Sequence, residues 1–178
     1  MVIKKLKQGW IASREILIRE TFVDFYLLTR SFLGAFVGIG IIAFFQSKLL
    51  SNYENILLIG SFGASSALIY GAFHSPLSKP RNFIGGHVIS AFIGVIICKI
   101  GPDVIWLAAP MAVSFAILCM QLTKTLHPPG GASALIAVIG SAKIKALGFL
   151  FVLFPVLTGS LILLSVSLIF NRIAPDRK

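Results

Sequence analysis

The amino-acid sequence predicts an all-α polytopic membrane protein with about six membrane segments, five long and one short or re-entrant, behind an N-terminal amphipathic helix. Two observations carry that reading. Hydrophobic residues fill 57% of the 178 positions and charged residues only 12%, about half the charged share of an ordinary soluble domain. The apolar residues also gather in runs close to the ~20 residues that a helix needs to cross a bilayer. The chain divides into an interfacial segment over 1–30, a transmembrane domain over 31–170 and a basic tail over 171–178.

Sixteen Lys and Arg stand against six Asp and Glu. In a soluble protein that excess would suggest nucleic acid. In a chain this apolar it belongs to cytoplasmic loops, and no nucleic-acid motif accompanies it. Cys98 and Cys119 lie in apolar runs, without metal or disulfide spacing, and read as small buried hydrophobes.

Residues 1–30 are too mixed for a cleavable signal and carry Glu15, Glu20 and Asp24. Ile11, Ile18, Phe22 and Phe25 fall near one helical face, which fits a helix lying on the membrane surface. The first apolar run, 31–46, can be extended by Tyr26, Leu27 and Leu28, with Arg30 snorkelling to the interface. Further long runs cover 55–73, 82–98, 104–122 and 146–170. Between the last two lies GGASALIAVIGSA, 130–142. As a helix it reaches about 18–20 Å, which suits a re-entrant half-helix or a short span buried among others.

Loop charge orients the chain. With six crossings and the N-terminus inside, twelve basic residues face the cytoplasm and four face out. If 130–142 does not cross, the split is eleven to five. Either way the N-terminus is cytoplasmic. Gly63-Ala64-Ser65-Ser66-Ala67-Leu68-Ile69 resembles Gly131-Ala132-Ser133-Ala134-Leu135-Ile136 at an offset of 68. That offset would make each half three crossings, a 3+3 inverted repeat, which is a common transporter plan. Chance recurrence of small-residue words is the alternative. Gly34 and Gly38, and Gly86, Ser90 and Gly94, have the spacing for close helix packing; a homo-oligomer interface is the other use of such faces.

Two stretches could carry chemistry: GAFHSPLSKPRNFIGGH, 71–87, and TLHPPGGASAL, 125–135. Pro128 and Pro129 suit the first turn of a helix. Gly130 and Gly131 leave room for a ligand at the backbone, and free N–H groups at a helix start attract anions. Ser133, His127 and Lys124 are nearby donors. In the other stretch, Lys79 and Arg81 precede a helix for which Asn82 is a candidate N-cap, and His87 lies about one turn in. A capped helix with a stiff turn would need no ligand at all.

None of the six acids lies within an apolar run; Glu54 and Asp103 sit at run edges. That disfavours cation transport and leaves histidine as the carrier for any coupled proton. Enzyme motifs are absent. The spacing of the three histidines is not that of a metal site, and no cofactor is implied.

The words Leu126-His127-Pro128-Pro129-Gly130-Gly131-Ala132, Gly60-Ser61-Phe62-Gly63-Ala64-Ser65, His74-Ser75-Pro76, Pro80-Arg81-Asn82 and Gly85-Gly86-His87 together resemble the HPP family of integral membrane proteins, over about 31–170. That family is usually described with four transmembrane helices, whereas this sequence shows five long runs and a short one. Some members carry CBS regulatory domains, for which 178 residues leave no room. Plastid members are associated with nitrite transport, and cyanobacterial relatives are similar. The resemblance implies a transporter or channel for a small inorganic anion, nitrite first among them, in a bacterial inner membrane.

The combined expectation is a site where the helix starts after Pro80 and Pro129 converge. Lys79, Arg81 and Lys124 draw the anion in beside Asn82. His127, Pro128, Pro129, Gly130, Gly131 and Ser133 contact it. His87 donates a hydrogen bond or carries a proton, and Ser65 and Ser66 join through the repeat. The partners are the lipid bilayer and the anion. The alternative is a non-transporting scaffold or sensor module.

Overall fold

Hydropathy sets where helices cross, and prolines and extended residues set where they stop. The computed structural model describes residues 24–49 and 59–173. The amphipathic helix expected over 1–30 and most of the basic tail lie outside the described residues. In chain order the elements are α1 (Phe25–Leu49), α2 (Gly60–Gly71), a 3-10 turn (Pro76–Ser78), α3 (Pro80–Ile100), α4 (Ile105–Leu122), α5 (Pro128–Ile139), α6 (Ala142–Ala146), a π-helical stretch (Val152–Leu157) and α7 (Thr158–Ile173).

Among the described residues four helical stretches are long and apolar enough to cross a membrane: Phe25–Lys48, Pro80–Ile100, Ile105–Leu122 and Val152–Ile173. They correspond to four of the five expected long segments; the remaining run, 55–73, begins outside the described residues. From Ile59 onward that run forms the twelve residues of α2, which starts after the extended Ile59 (φ −86°, ψ 145°). The run 146–170 is broken at Phe154 (φ −136°, ψ 118°), since the ring of Pro155 drives the preceding residue out of helical space. Asn82 is not the cap of α3. Pro80 takes the first helical position, where its missing N–H costs nothing, and Lys79 stands at the N-cap. Arg30 does not snorkel but is buried.

The end of α4 is shaped by Lys124. It adopts φ 55°, and the N–H groups of Thr125 and Lys124 return to Met120 O at 2.8 Å and Gln121 O at 3.1 Å. That pair of reversed bonds is a Schellman closure. It turns the chain at once into α5.

Contacts fix the course of the short helices. A Cβ on Gly85, near the start of α3, would stand 2.7 Å from the Thr125 side chain, and one on Gly148 would stand 3.3 Å from Lys99 Cε, at the end of α3. The chain from Thr125 to Gly148 therefore runs from one end of α3 to the other. The segment 130–142 holds most of a short apolar helix, α5, buried among longer helices. On the other flank, Ser31 Oγ donates to Tyr70 O (2.8 Å), Tyr70 Oη to Leu163 O (3.0 Å) and Ser167 Oγ to Ile69 O (3.3 Å). These bonds hold the end of α2 to the first turns of α1 and to the middle of α7.

An order of long helix, twelve-residue helix, short turn, long helix thus occurs twice. Adding 68 to the bounds of α2 gives those of α5, the offset of the sequence repeat. Ser61 of α2 bonds Ser133 of α5, and Ser65 bonds His127 at the start of α5, so the two short helices run antiparallel, as inverted halves require. Lipid supplies no hydrophobic force between helices, so small residues must let them close. A Cβ on Gly94 would stand 2.7 Å from Ala134 Cα, and one on Gly130 would stand 2.7 Å from Gly86 O. α3 and α5 therefore meet backbone to backbone.

Candidate functional site

Pro128 disfavours helical backbone at the residue before it. His127 is accordingly extended (φ −138°, ψ 101°) at the N-cap of α5, and the loop lies on α3 where Gly86 has no side chain; a Cβ there would stand 2.9 Å from Thr125 O. The loop is clamped from α3 as well. Asn82 Nδ2 donates to Leu126 O (2.9 Å), and Arg81 Nη2 donates to Thr123 O (3.0 Å).

This places His127 beside His87, two turns into α3, with ring centroids 5.0 Å apart. Ser65 Oγ joins them, 2.7 Å from His87 Nε2 and 3.0 Å from His127 Nε2. On its other side His87 Nδ1 lies 2.8 Å from Ser133 Oγ, which is 3.1 Å from Ser61 Oγ. His127 Nδ1 donates to Leu77 O (3.0 Å) in the 3-10 turn. That turn is held by Ser78 Oγ, bonded to Leu68 O and Ala72 O. Ser61 and Ser65 are one helical turn apart and so share a face of α2.

The rings of Phe83 and Phe62 pack edge-on against the imidazoles, Phe83 at 5.0 Å from His127 and 5.2 Å from His87. Ser61, Ser65, His87, His127 and Ser133 all have 0% exposure. The hydroxyls of Ser66, Ser90 and Ser160 are buried and make no hydrogen bond among the described residues. No described acid enters this core: Asp24 and Asp103 are exposed at helix ends. No cluster of three His, Cys, Asp or Glu occurs among the described residues; His74 packs edge-on against Phe73 in the turn after α2.

The structure therefore gathers four of the expected residues, Ser65, His87, His127 and Ser133, and adds Ser61. Ser66 is buried on the same helix. Lys79, Arg81 and Lys124 are exposed; Arg81 and Lys124 shape the loop, and Asn82 clamps it. The helix start is less open than the glycine pair suggested. Pro128 and Pro129 have no N–H, and Gly130 N donates to His127 O at 2.8 Å. The backbone approach that Gly130 permits is taken by α3. Gly131 is different: its nearest neighbour is Val113 Cγ1 at 3.8 Å, and with Pro128, Ala132 and Leu135 it lines an apolar groove of about 470 Å³ against α4.

Ser61 stood only within a family word and was not singled out as a site residue, because serines in apolar helices commonly bond their own backbone and no histidine is its neighbour in the chain. The offset of 68 does not find the site either. The positions corresponding to His127 and His87 are Ile59 and Pro155, so the polar cluster is built once, on a framework that repeats.

The family described as the HPP transmembrane region matches residues 21–178. The chain belongs to the HPP family. Two transmembrane proteins of Dictyostelium discoideum are similar to it. One is 44% identical over 154 residues, covering 83% of this chain and 48% of its own length. The other is 40% identical over 150 residues, covering 83% of this chain and 52% of its own. This HPP chain thus spans about half the length of the curated relatives it matches. No solved structure matches it. The family's His-Pro-Pro word stands here as the extended histidine and the two prolines that open α5.

Proposed function

We propose that this HPP protein moves a small inorganic anion across the membrane, with nitrite the first cargo to test. The observation that carries the reading is the enclosed cluster of two imidazoles and three serines between α2, α3 and α5, with no described carboxylate beside it. Ionisable groups are costly within membrane helices and usually mark function there. A cation site would need acids or converging carbonyls. This cluster offers N–H and O–H donors. Its place between two inverted halves suits alternating access, in which the halves move to open the enclosed site to each side in turn. Lys79, Arg81 and Lys124 lie at the same end as the His127 loop, where they raise the local anion concentration. The loop charges support a plasma-membrane protein with its N-terminus in the cytoplasm.

One observation favours the second reading, a non-transporting scaffold or sensor. The histidines are fully enclosed, and Gly130 is packed against α3, so the network also serves as a lock between helices. Nitrite uptake into proteoliposomes separates the two. Transport predicts uptake above empty liposomes that falls in a folded His127→Ala variant. Uptake equal to empty liposomes, with folded native protein, overturns nitrite transport.

A further inference from the structure

Resting on the transport reading, we infer that the serine–histidine chain from Ser61 to His127 takes up one proton with each anion, so that the protein is a proton–anion symporter.

The reasoning is a count of hydrogens. Leu77 O can only accept, so His127 Nδ1 carries one. With both rings neutral, His127 Nε2 is an acceptor, and Ser65 O–H must donate to it. A serine has one hydrogen, so the bond between Ser65 and His87 then needs His87 Nε2–H as donor. His87 Nδ1 becomes an acceptor, filled by Ser133 O–H, and Ser133 keeps its bond to Ser61 only by turning it round from the direction its geometry favours, Ser133 to Ser61. With neutral rings this is the one ordering available, and it requires Ser61 rather than Ser133 to donate in the hydroxyl pair.

A second ordering also makes every bond, with one proton more. His127 Nε2–H donates to Ser65, Ser65 to His87 Nε2, His87 Nδ1–H to Ser133, and Ser133 to Ser61. The two states interconvert by hand-over. A proton enters at the Ser61 oxygen, each oxygen or nitrogen passes its hydrogen to the next, and His127 ends as imidazolium. No heavy-atom contact breaks. The same atoms thus hold two charge states with a full set of bonds in each.

The surroundings decide when the second state is reached. The groups facing the pair are Ser61 and Ser65 from α2, Phe83 from α3, Ser133 from α5, Leu77 O from the turn, and the Phe62 ring. None is ionisable. A lone charge in so dry a core is expensive. An arriving anion supplies the missing counter-charge. Proton and anion therefore favour each other's binding, and the effect is reciprocal.

The test uses the full chain in proteoliposomes loaded with a pH-sensitive dye, with an imposed potassium diffusion potential, and with the leak of protein-free liposomes subtracted. Nitrite uptake is expected to acidify the lumen in step, at about one proton per nitrite, to be indifferent to the potential and to quicken as external pH falls. Ser133→Ala removes the link between Ser61 and His87 and is expected to lower the proton-to-nitrite ratio; a variant with native stability and native ratio overturns the relay. Uptake that follows the potential without acidifying the lumen overturns the symport inference and leaves anion transport standing. An absence of nitrite uptake overturns both.

Discussion

His87 and His127, forty residues apart in the chain, meet at 5.0 Å between ring centroids and share a single serine hydroxyl. Their neighbours otherwise bring them no charge. A pair of imidazoles joined by one hydroxyl, in an enclosed core, has a clear mutational signature. His87→Phe keeps an aromatic ring against Phe83 and Phe62 but loses the bonds to Ser65 and Ser133. The expected cost in stability is about 1–2 kcal/mol, in the range of buried hydrogen bonds within membranes, with nitrite uptake lost. Thermal unfolding in detergent and liposome uptake, measured on one preparation, check both. A pure scaffold predicts only the first effect.

The two glycines of the motif should respond differently to a methyl group. At Gly130 it would stand 2.7 Å from Gly86 O and 2.9 Å from Gly86 C, and backbone cannot yield as a side chain does. Gly130→Ala is expected to destabilise by about 1–3 kcal/mol, the usual cost of overpacking. Gly131→Ala meets only Val113 Cγ1 at 3.8 Å and is expected to leave the melting temperature unchanged. Equal melting temperatures for the two variants would contradict the α3–α5 contact.

Asn82 acts on the site through the loop. Its Nδ2 holds Leu126 O, one residue before His127. Asn82→Ala is expected to reduce nitrite uptake several-fold while Asn82→Gln restores part of it, and to make the loop over 123–127 more readily cut by protease. Unaltered uptake and cleavage would mean that His127 is fixed by Leu77 O and Pro128 alone.

The course of the chain predicts its sidedness. In a background lacking Cys98 and Cys119, His74→Cys and Lys124→Cys should react with a membrane-impermeant thiol reagent from the same side. Lys143→Cys should react only from the other. Labelling of Lys124→Cys and Lys143→Cys from one side would mean that the segment between them does not cross.

Much of this was legible in the sequence, for identifiable reasons. Long apolar runs report crossings because the bilayer demands length, and the offset of 68 carried the register of α2 onto α5. Hydropathy is blind to backbone conformation, so it counted Ile59 as helix and passed over the break at Phe154. His87, His127, Ser65 and Ser133 stood out as polar groups beside glycine and proline in apolar surroundings. Ser61 did not, because its partner is 72 positions away. The purpose of Gly130 was also hidden, since Gly86 meets it from another helix.

The most direct measurement is nitrite uptake by a Ser65→Ala variant of verified fold and native orientation in liposomes. Ser65 has no charge, is fully buried and touches both histidines. If the serine–histidine network is the transport site, uptake falls by about tenfold or more, as losing one hydrogen-bonding group at a reacting centre commonly costs. Uptake at the native rate would show that the anion passes elsewhere and that the network only holds the helices together.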